Sequence, residues 1–147
     1  MQRAPPEPLD GEARLILVVE DEFLIAMELE AVLEESGFRV LGPAATVQAA
    51  LQLLDQQRPH AAVLDMNLRN ETVVPVARVL RRMAVPFAIA SAYGAASWPR
   101  DEALDGAPSL GKPTSTATLI AAMHEILTTD SGPTTDSGQG RSSTSGS

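Results

Sequence analysis

An unbroken run of five aliphatic residues, Leu15–Val19, leads directly into three carboxylates, Glu20, Asp21 and Glu22. A strand without a polar residue needs cover on both faces, which points to the interior of a parallel sheet. The pattern recurs: Ala61–Leu64 ends in Asp65, and Val85–Ala90 ends in Ser91. Phe38–Ala44 and Ser109–Gly111 read as weaker strands, the latter just before Lys112 and Pro113. Between these runs apolar residues repeat at helical spacing. Phe23, Ala26, Leu29, Val32 and Leu33 precede Gly37, a helix stop, and Val47, Ala50, Leu51 and Leu54 follow Thr46, an N-cap. Thr72–Met83 predicts a third helix with Pro75 in its first turn. Leu119, Ile120, Met123, Ile126 and Leu127 predict a last one, capped by Thr114 or Ser115. Ala92–Ala107 predicts at most a short helix around Trp98–Leu104.

About five alternations of strand and helix imply right-handed crossovers and a parallel sheet covered on both faces, a doubly wound α/β fold. In such folds ligands bind beyond the carboxyl ends of the strands. The polar residues that follow the strands should therefore converge.

Composition narrows what they do there. The chain has 147 residues, 44% of them hydrophobic, enough for one domain with a sizeable core. Its formal charge of −8 argues against nucleic acid as the main partner, and five aromatic residues are too few for a base-stacking platform. Cysteine is absent, which excludes disulfides and thiolate metal sites. The apolar runs are too short to span a bilayer, and Met1–Asp10 does not resemble a secretion leader, so a cytoplasmic protein is expected. Residues 1–12 are expected to be a flexible segment, 13–129 the folded domain, and 130–147, rich in Ser, Gly and Thr, a disordered tail.

The converging residues are Glu20, Asp21 and Glu22, then Asp65, Ser91 and Lys112. Clustered carboxylates repel unless a cation or proton joins them. Oxygen donors without His or Cys favour a hard ion such as Mg²⁺. Lys112 suits a phosphoryl oxygen, Ser91 can hydrogen-bond another, and a carboxylate can be the nucleophile. Singly, each residue has a simpler reading: a helix start, a turn aspartate, a loop hydroxyl, a surface charge. Their shared position at one end of one sheet favours a site. His60 and His124 lack ligand spacing, and Arg69, Arg78, Arg81 and Arg82 read as a solvated basic face.

Four segments, Leu17-Val-Val-Glu-Asp-Glu22, Val63-Leu-Asp-Met-Asn-Leu68, Ala90-Ser-Ala92 and Gly111-Lys-Pro113, resemble in order and spacing the signatures of a response-regulator receiver domain. The resemblance spans about Leu15 to Thr129 and implies the flavodoxin-like (βα)5 receiver fold with a five-stranded parallel sheet. It implies Asp65 as phosphoacceptor, and Asp21, Asp65, the Asn67 backbone carbonyl and, through water, Glu20 as holders of Mg²⁺. It also implies Ser91 and Lys112 as phosphoryl contacts and a cis peptide bond between Lys112 and Pro113. The partners it implies are a histidine kinase or histidine phosphotransferase and a downstream target protein. Phosphorylation would draw in Ser91 and Ala92 and bias a surface built from the fourth helix, fifth strand and fifth helix.

The match has departures. Receivers often carry an aromatic ring three residues before the lysine, and here Ser109 stands there. Tyr93 is a candidate substitute: Pro86–Gly94 is similar to the Phe-Ala-Thr-Gly-Tyr signature of stand-alone receivers, with Ser-Ala in place of Thr-Gly. Tyr93 and Asn67 also occupy positions that tune dephosphorylation in that family. The expectation is a stand-alone phosphorylation switch, monomeric or dimerising on phosphorylation, and no conventional enzyme. The rivals are a phosphate-independent pseudo-receiver, an aspartyl phosphatase and a piece of a longer regulator. The phosphatase is disfavoured because Asn67 stands where a general acid would be needed.

Overall fold

The computed structural model of the protein describes residues 13–131. The expected terminal segment 1–12 and the tail from 132 onward lie outside the described residues. Five parallel strands are present: β1 Leu15–Val19, β2 Arg39–Ala44, β3 Ala61–Asp65, β4 Phe87–Ala90 and β5 Ser109–Leu110. They lie in the order β2-β1-β3-β4-β5, the flavodoxin-like arrangement. The helices are α1 Phe23–Glu35, α2 Val47–Gln56, α3 Val74–Arg82 and α4 Thr116–Ser131.

The aliphatic runs are continuous because alternate residues feed two cores. Leu15, Leu17, Val19, Ala62, Leu64, Phe87 and Ile89 face one side, with Ala50 and Leu54 of α2 and Ala77 and Leu80 of α3. Ile16, Val18, Ala61, Val63, Ala88 and Ala90 face the other, with Leu33 of α1 and Leu119 and Met123 of α4. Full burial of one such aliphatic side chain contributes roughly 1.5–3 kcal/mol, so the three central strands anchor the site they end in.

The caps form as their residue types require. The Thr46 hydroxyl accepts from Ala49 N at 3.0 Å, and Ser115 Oγ accepts from Thr118 N at 3.1 Å. Gly37 ends α1 at φ +96°. Pro75 sits in the first turn of α3. The Lys112–Pro113 peptide is cis, as the resemblance implied, and so is Gly42–Pro43.

Four expectations change. No α-helix forms between β4 and β5: two 3₁₀ turns, Ala95–Ser97 and Glu102–Leu104, replace both the expected short helix and the fourth helix of the switching surface. Arg81 braces that crossover, donating to Ala103 O (2.8 Å) and Asp105 O (2.6 Å) and lying 4.6 Å over the Phe87 ring. Arg78 pairs with Asp101 at 2.6 Å, so these two arginines hold a loop rather than forming a merely solvated face. The segment before α3 is a small hairpin, Asn67–Leu68 paired with Glu71–Thr72, turned at Asn70 with φ +66°. On α1, Ala26 and Leu33 are buried, but Phe23 is 72% exposed beside exposed Leu24 and Met27.

Candidate functional site

Asp65 is the last residue of β3, the central strand, and only 4% exposed. Asp65, Ala90 and Leu110 are successive partners across β3, β4 and β5. Ser91 therefore leaves the sheet one residue beyond that row and Lys112 two beyond. On the other side β1 ends at Val19, and Glu20 follows, held by a bond from its N–H to Ala44 O (2.9 Å). All four residues thus lie at the carboxyl end of the sheet.

Carboxylate oxygens of Glu20, Asp21 and Asp65 lie within 4.8 Å of one another. Lys112 Nζ is 3.0 Å from Asp65 Oδ1 and 3.6 Å from Glu20 Oε1. Glu20 Oε2 accepts from the Glu22 backbone N–H at 3.0 Å. Glu22 itself is exposed, as a solvated helix start would be.

Burial raises Asp65 above the ordinary carboxylate value, against the Lys112 hydrogen bond and charge and the Asn67 N–H. Glu20 is raised first by burial, then by the nearby Asp65 charge, against its hydrogen bond from Glu22 and the Lys112 charge. Burial alone would lower Lys112, but its hydrogen bond to Asp65 and the two carboxylate charges raise it. The ammonium thus stays charged while its partners are held in a strained ionic group. All-oxygen donors carrying more negative than positive charge fit a hard divalent cation such as Mg²⁺, and no soft ligand is present in the cluster.

Ser91 is buried, and its Oγ accepts from Tyr93 N at 3.2 Å. Asn67 is exposed on the hairpin beside Asp65. Tyr93 is 72% exposed and Ala92 is exposed, so the ring does not cover the sheet rim. Ser109 is exposed on β5, and Pro113 is exposed after the cis bond.

Two contacts were not read from the sequence. Asp21 Oδ2 accepts from the Arg69 backbone N–H at 2.9 Å, and Glu71 Oε2 accepts from Val47 N, at the start of α2, at 3.1 Å. They tie the hairpin to the loop after β1 and to α2 across 48 and 24 residues, a separation that leaves no local signal. The histidines have structural roles. His60 Nδ1 accepts from Leu15 N at 2.9 Å, and the His124 ring packs on Phe38 with centroids 5.6 Å apart.

Residues 16–124 match the family described as the response regulator receiver domain. Over 81 residues the chain is 28% identical to the transcriptional regulatory protein PdtaR of Mycobacterium tuberculosis, covering 54% of this chain and 40% of PdtaR. It is 38% identical to the sensory transduction protein LytT of Bacillus cereus over 81 residues, 53% of this chain and 33% of LytT. The matched region thus spans well under half of those curated relatives. The crystal structure of a response regulator receiver protein from Sinorhizobium medicae superimposes with a TM-score of 0.72 at 26% identity, covering 82% of this chain and 99% of that one. Among the described residues no helix is long and apolar enough to cross a membrane. With the fold, the acidic cluster and the family match in agreement, the chain belongs to the response regulator receiver domain family, whose members are signalling modules rather than conventional enzymes.

Proposed function

We propose that Asp65 accepts a phosphoryl group from a histidine kinase or histidine phosphotransferase, and that the resulting acyl phosphate switches a protein-binding surface. The observation that carries this reading is the Lys112 ammonium 3.0 Å from Asp65 Oδ1, within a pocket shared with Glu20 and Asp21. Asp21, Asp65 and the Asn67 carbonyl would hold Mg²⁺, with Glu20 at its edge. The bound ion would supply positive charge to the phosphoryl oxygens. An Asp65 carboxylate oxygen attacks phosphorus in line, and the phosphorus–nitrogen bond to the donor imidazole breaks with its electron pair left on nitrogen. Lys112 and the Ser91 hydroxyl meet the phosphoryl oxygens. Water attack on phosphorus later returns Asp65 and inorganic phosphate, at a rate that the residues at positions Asn67 and Tyr93 would tune.

Phe23, Leu24 and Met27, exposed just after Asp21, offer an apolar contact to the protein that delivers the phosphoryl group. The switch would act through Ser91, Ala92 and Tyr93, next to Ser109 and Pro113, because the segment after β4 is two short turns rather than a packed helix. We assign the protein to the cytoplasm, where its receiver domain meets a downstream target protein, monomeric or dimerising on phosphorylation. Treatment with acetyl phosphate and Mg²⁺ followed by intact mass measurement tests the central step. One added phosphoryl mass, absent in Asp65→Asn, supports it; an unmodified wild-type protein refutes it.

A further inference from the structure

Two cations face the three carboxylates, and they are held differently. Lys112 is committed on the inner side to Asp65 and Glu20. On the outer side Arg69 meets Asp21 twice: its backbone N–H donates to Oδ2 at 2.9 Å, and its guanidinium Nε lies 3.7 Å from the same oxygen. The Asp21 side chain is 15% exposed, whereas that of Arg69 is 74% exposed. The left-handed Asn70 fixes the turn that presents the Arg69 backbone, while the guanidinium itself lies in solvent.

We propose that the Arg69 guanidinium is the resident counter-ion of Asp21, which a divalent cation must displace, so that Arg69 sets the metal affinity of this pocket. The inference rests on the metal-binding reading above. Metal entry becomes an exchange: the Asp21 carboxylate passes from the guanidinium to the ion, and the freed guanidinium moves away from a like charge. A long, exposed ion pair is weak enough to be displaced, and it is screened by salt. The backbone hydrogen bond does not depend on the side chain, so replacing the side chain leaves Asp21 oriented and removes the competing charge alone. Arg69 is thus a positioning residue that acts through Asp21.

The test is a titration of the full chain with MgCl₂, followed by amide NMR shifts around Asp21 and Asn67, at low and high ionic strength. At low salt Arg69→Gln binds Mg²⁺ about three- to tenfold more tightly than wild type, and the gap narrows as salt rises. Arg69→Lys, which keeps the charge, stays within about twofold of wild type by the same screening argument. Equal affinities for wild type and Arg69→Gln at low salt overturn the inference, as does an Arg69→Lys protein that behaves like Arg69→Gln. Asp21→Asn serves as the reference: if wild type responds to Mg²⁺ no more than this variant does, the metal-binding reading itself fails.

Discussion

Replacing Asp65 with Asn is expected to stabilise the fold in chelator while abolishing its chemistry. Asp65 lies no more than 4.8 Å from the carboxylate oxygens of both Glu20 and Asp21. At an effective dielectric of about 20, each such pair repels by about 3.5 kcal/mol. The attraction of Lys112 at 3.0 Å returns about 5.5 kcal/mol on the same scale. The two repulsions together therefore exceed the attraction by about 1.5 kcal/mol, and the desolvation of a carboxylate that is 4% exposed adds to that penalty, in keeping with its raised pKa. Asp65→Asn keeps the shape and an acceptor for Lys112 but removes the charge. A gain of roughly 1–3 kcal/mol is expected, as is common where function holds a site in strain.

Urea denaturation at pH 7.5 in chelator and then in excess Mg²⁺ measures it. In chelator Asp65→Asn unfolds at the higher midpoint. Mg²⁺ at about a hundred times its dissociation constant adds about 2.7 kcal/mol to wild type and less to the variant, so the order closes or reverses. The pH dependence has a definite sign. A carboxyl raised above its ordinary 3.8 penalises the fold fully above its folded pKa, and the penalty fades as pH falls from there towards 3.8. The advantage of Asp65→Asn must shrink on acidification over that window. A variant less stable than wild type in chelator at pH 7.5 would refute the view that this carboxylate is held under strain.

Three other outcomes follow from the fold. His60 is lowered by burial and by Arg14, Arg39 and Arg58, and it accepts the Leu15 N–H. Its contribution is therefore whole above the ordinary pKa of 6.5 and lost as pH falls through the folded value; His60→Gln should flatten that slope in urea midpoints by about 0.5–1.5 kcal/mol. Gly42 and Gly37 both have φ +96°, but a Cβ at Gly42 would meet Ala44 N at 2.7 Å and Val18 O at 3.1 Å, whereas one at Gly37 meets nothing within 4 Å. Gly42→Ala should thus destabilise by about 2–4 kcal/mol against about 1–2 for Gly37→Ala, and equal midpoints would contradict the close approach. Arg81→Met should cost about 1–2 kcal/mol and speed amide exchange in residues 101–106 more than in β1 or β3; uniform exchange would show that Arg81 does not brace the crossover.

The parts legible in the sequence were those that local physics decides. Leu15–Val19 and Ala61–Leu64 admit one solution, a strand covered on both faces, and strand direction then carries Glu20, Asp21, Asp65, Ser91 and Lys112 to the same end. Thr46, Gly37, Pro75 and Ser115 mark helix ends through their own backbone preferences, and all four do so here. Phe23 misled because helical spacing records which residues share a face, not whether a neighbour exists to cover that face.

The crossover between β4 and β5 was illegible for a different reason. Its turns carry little apolar periodicity, and its conformation is imposed from outside: Arg81 and Arg78 grip Ala103, Asp105 and Asp101 from α3, and Trp98 packs on the core. Among the described residues the buried Trp98 Nε1–H meets no acceptor. A segment that owes its shape to a few long-range contacts lies close in free energy to other arrangements. It begins immediately after Ser91, whose Oγ already holds the Tyr93 N–H. A phosphoryl group that recruited the Ser91 hydroxyl would compete for that oxygen, so the first element to respond would be the one whose structure the sequence leaves least determined.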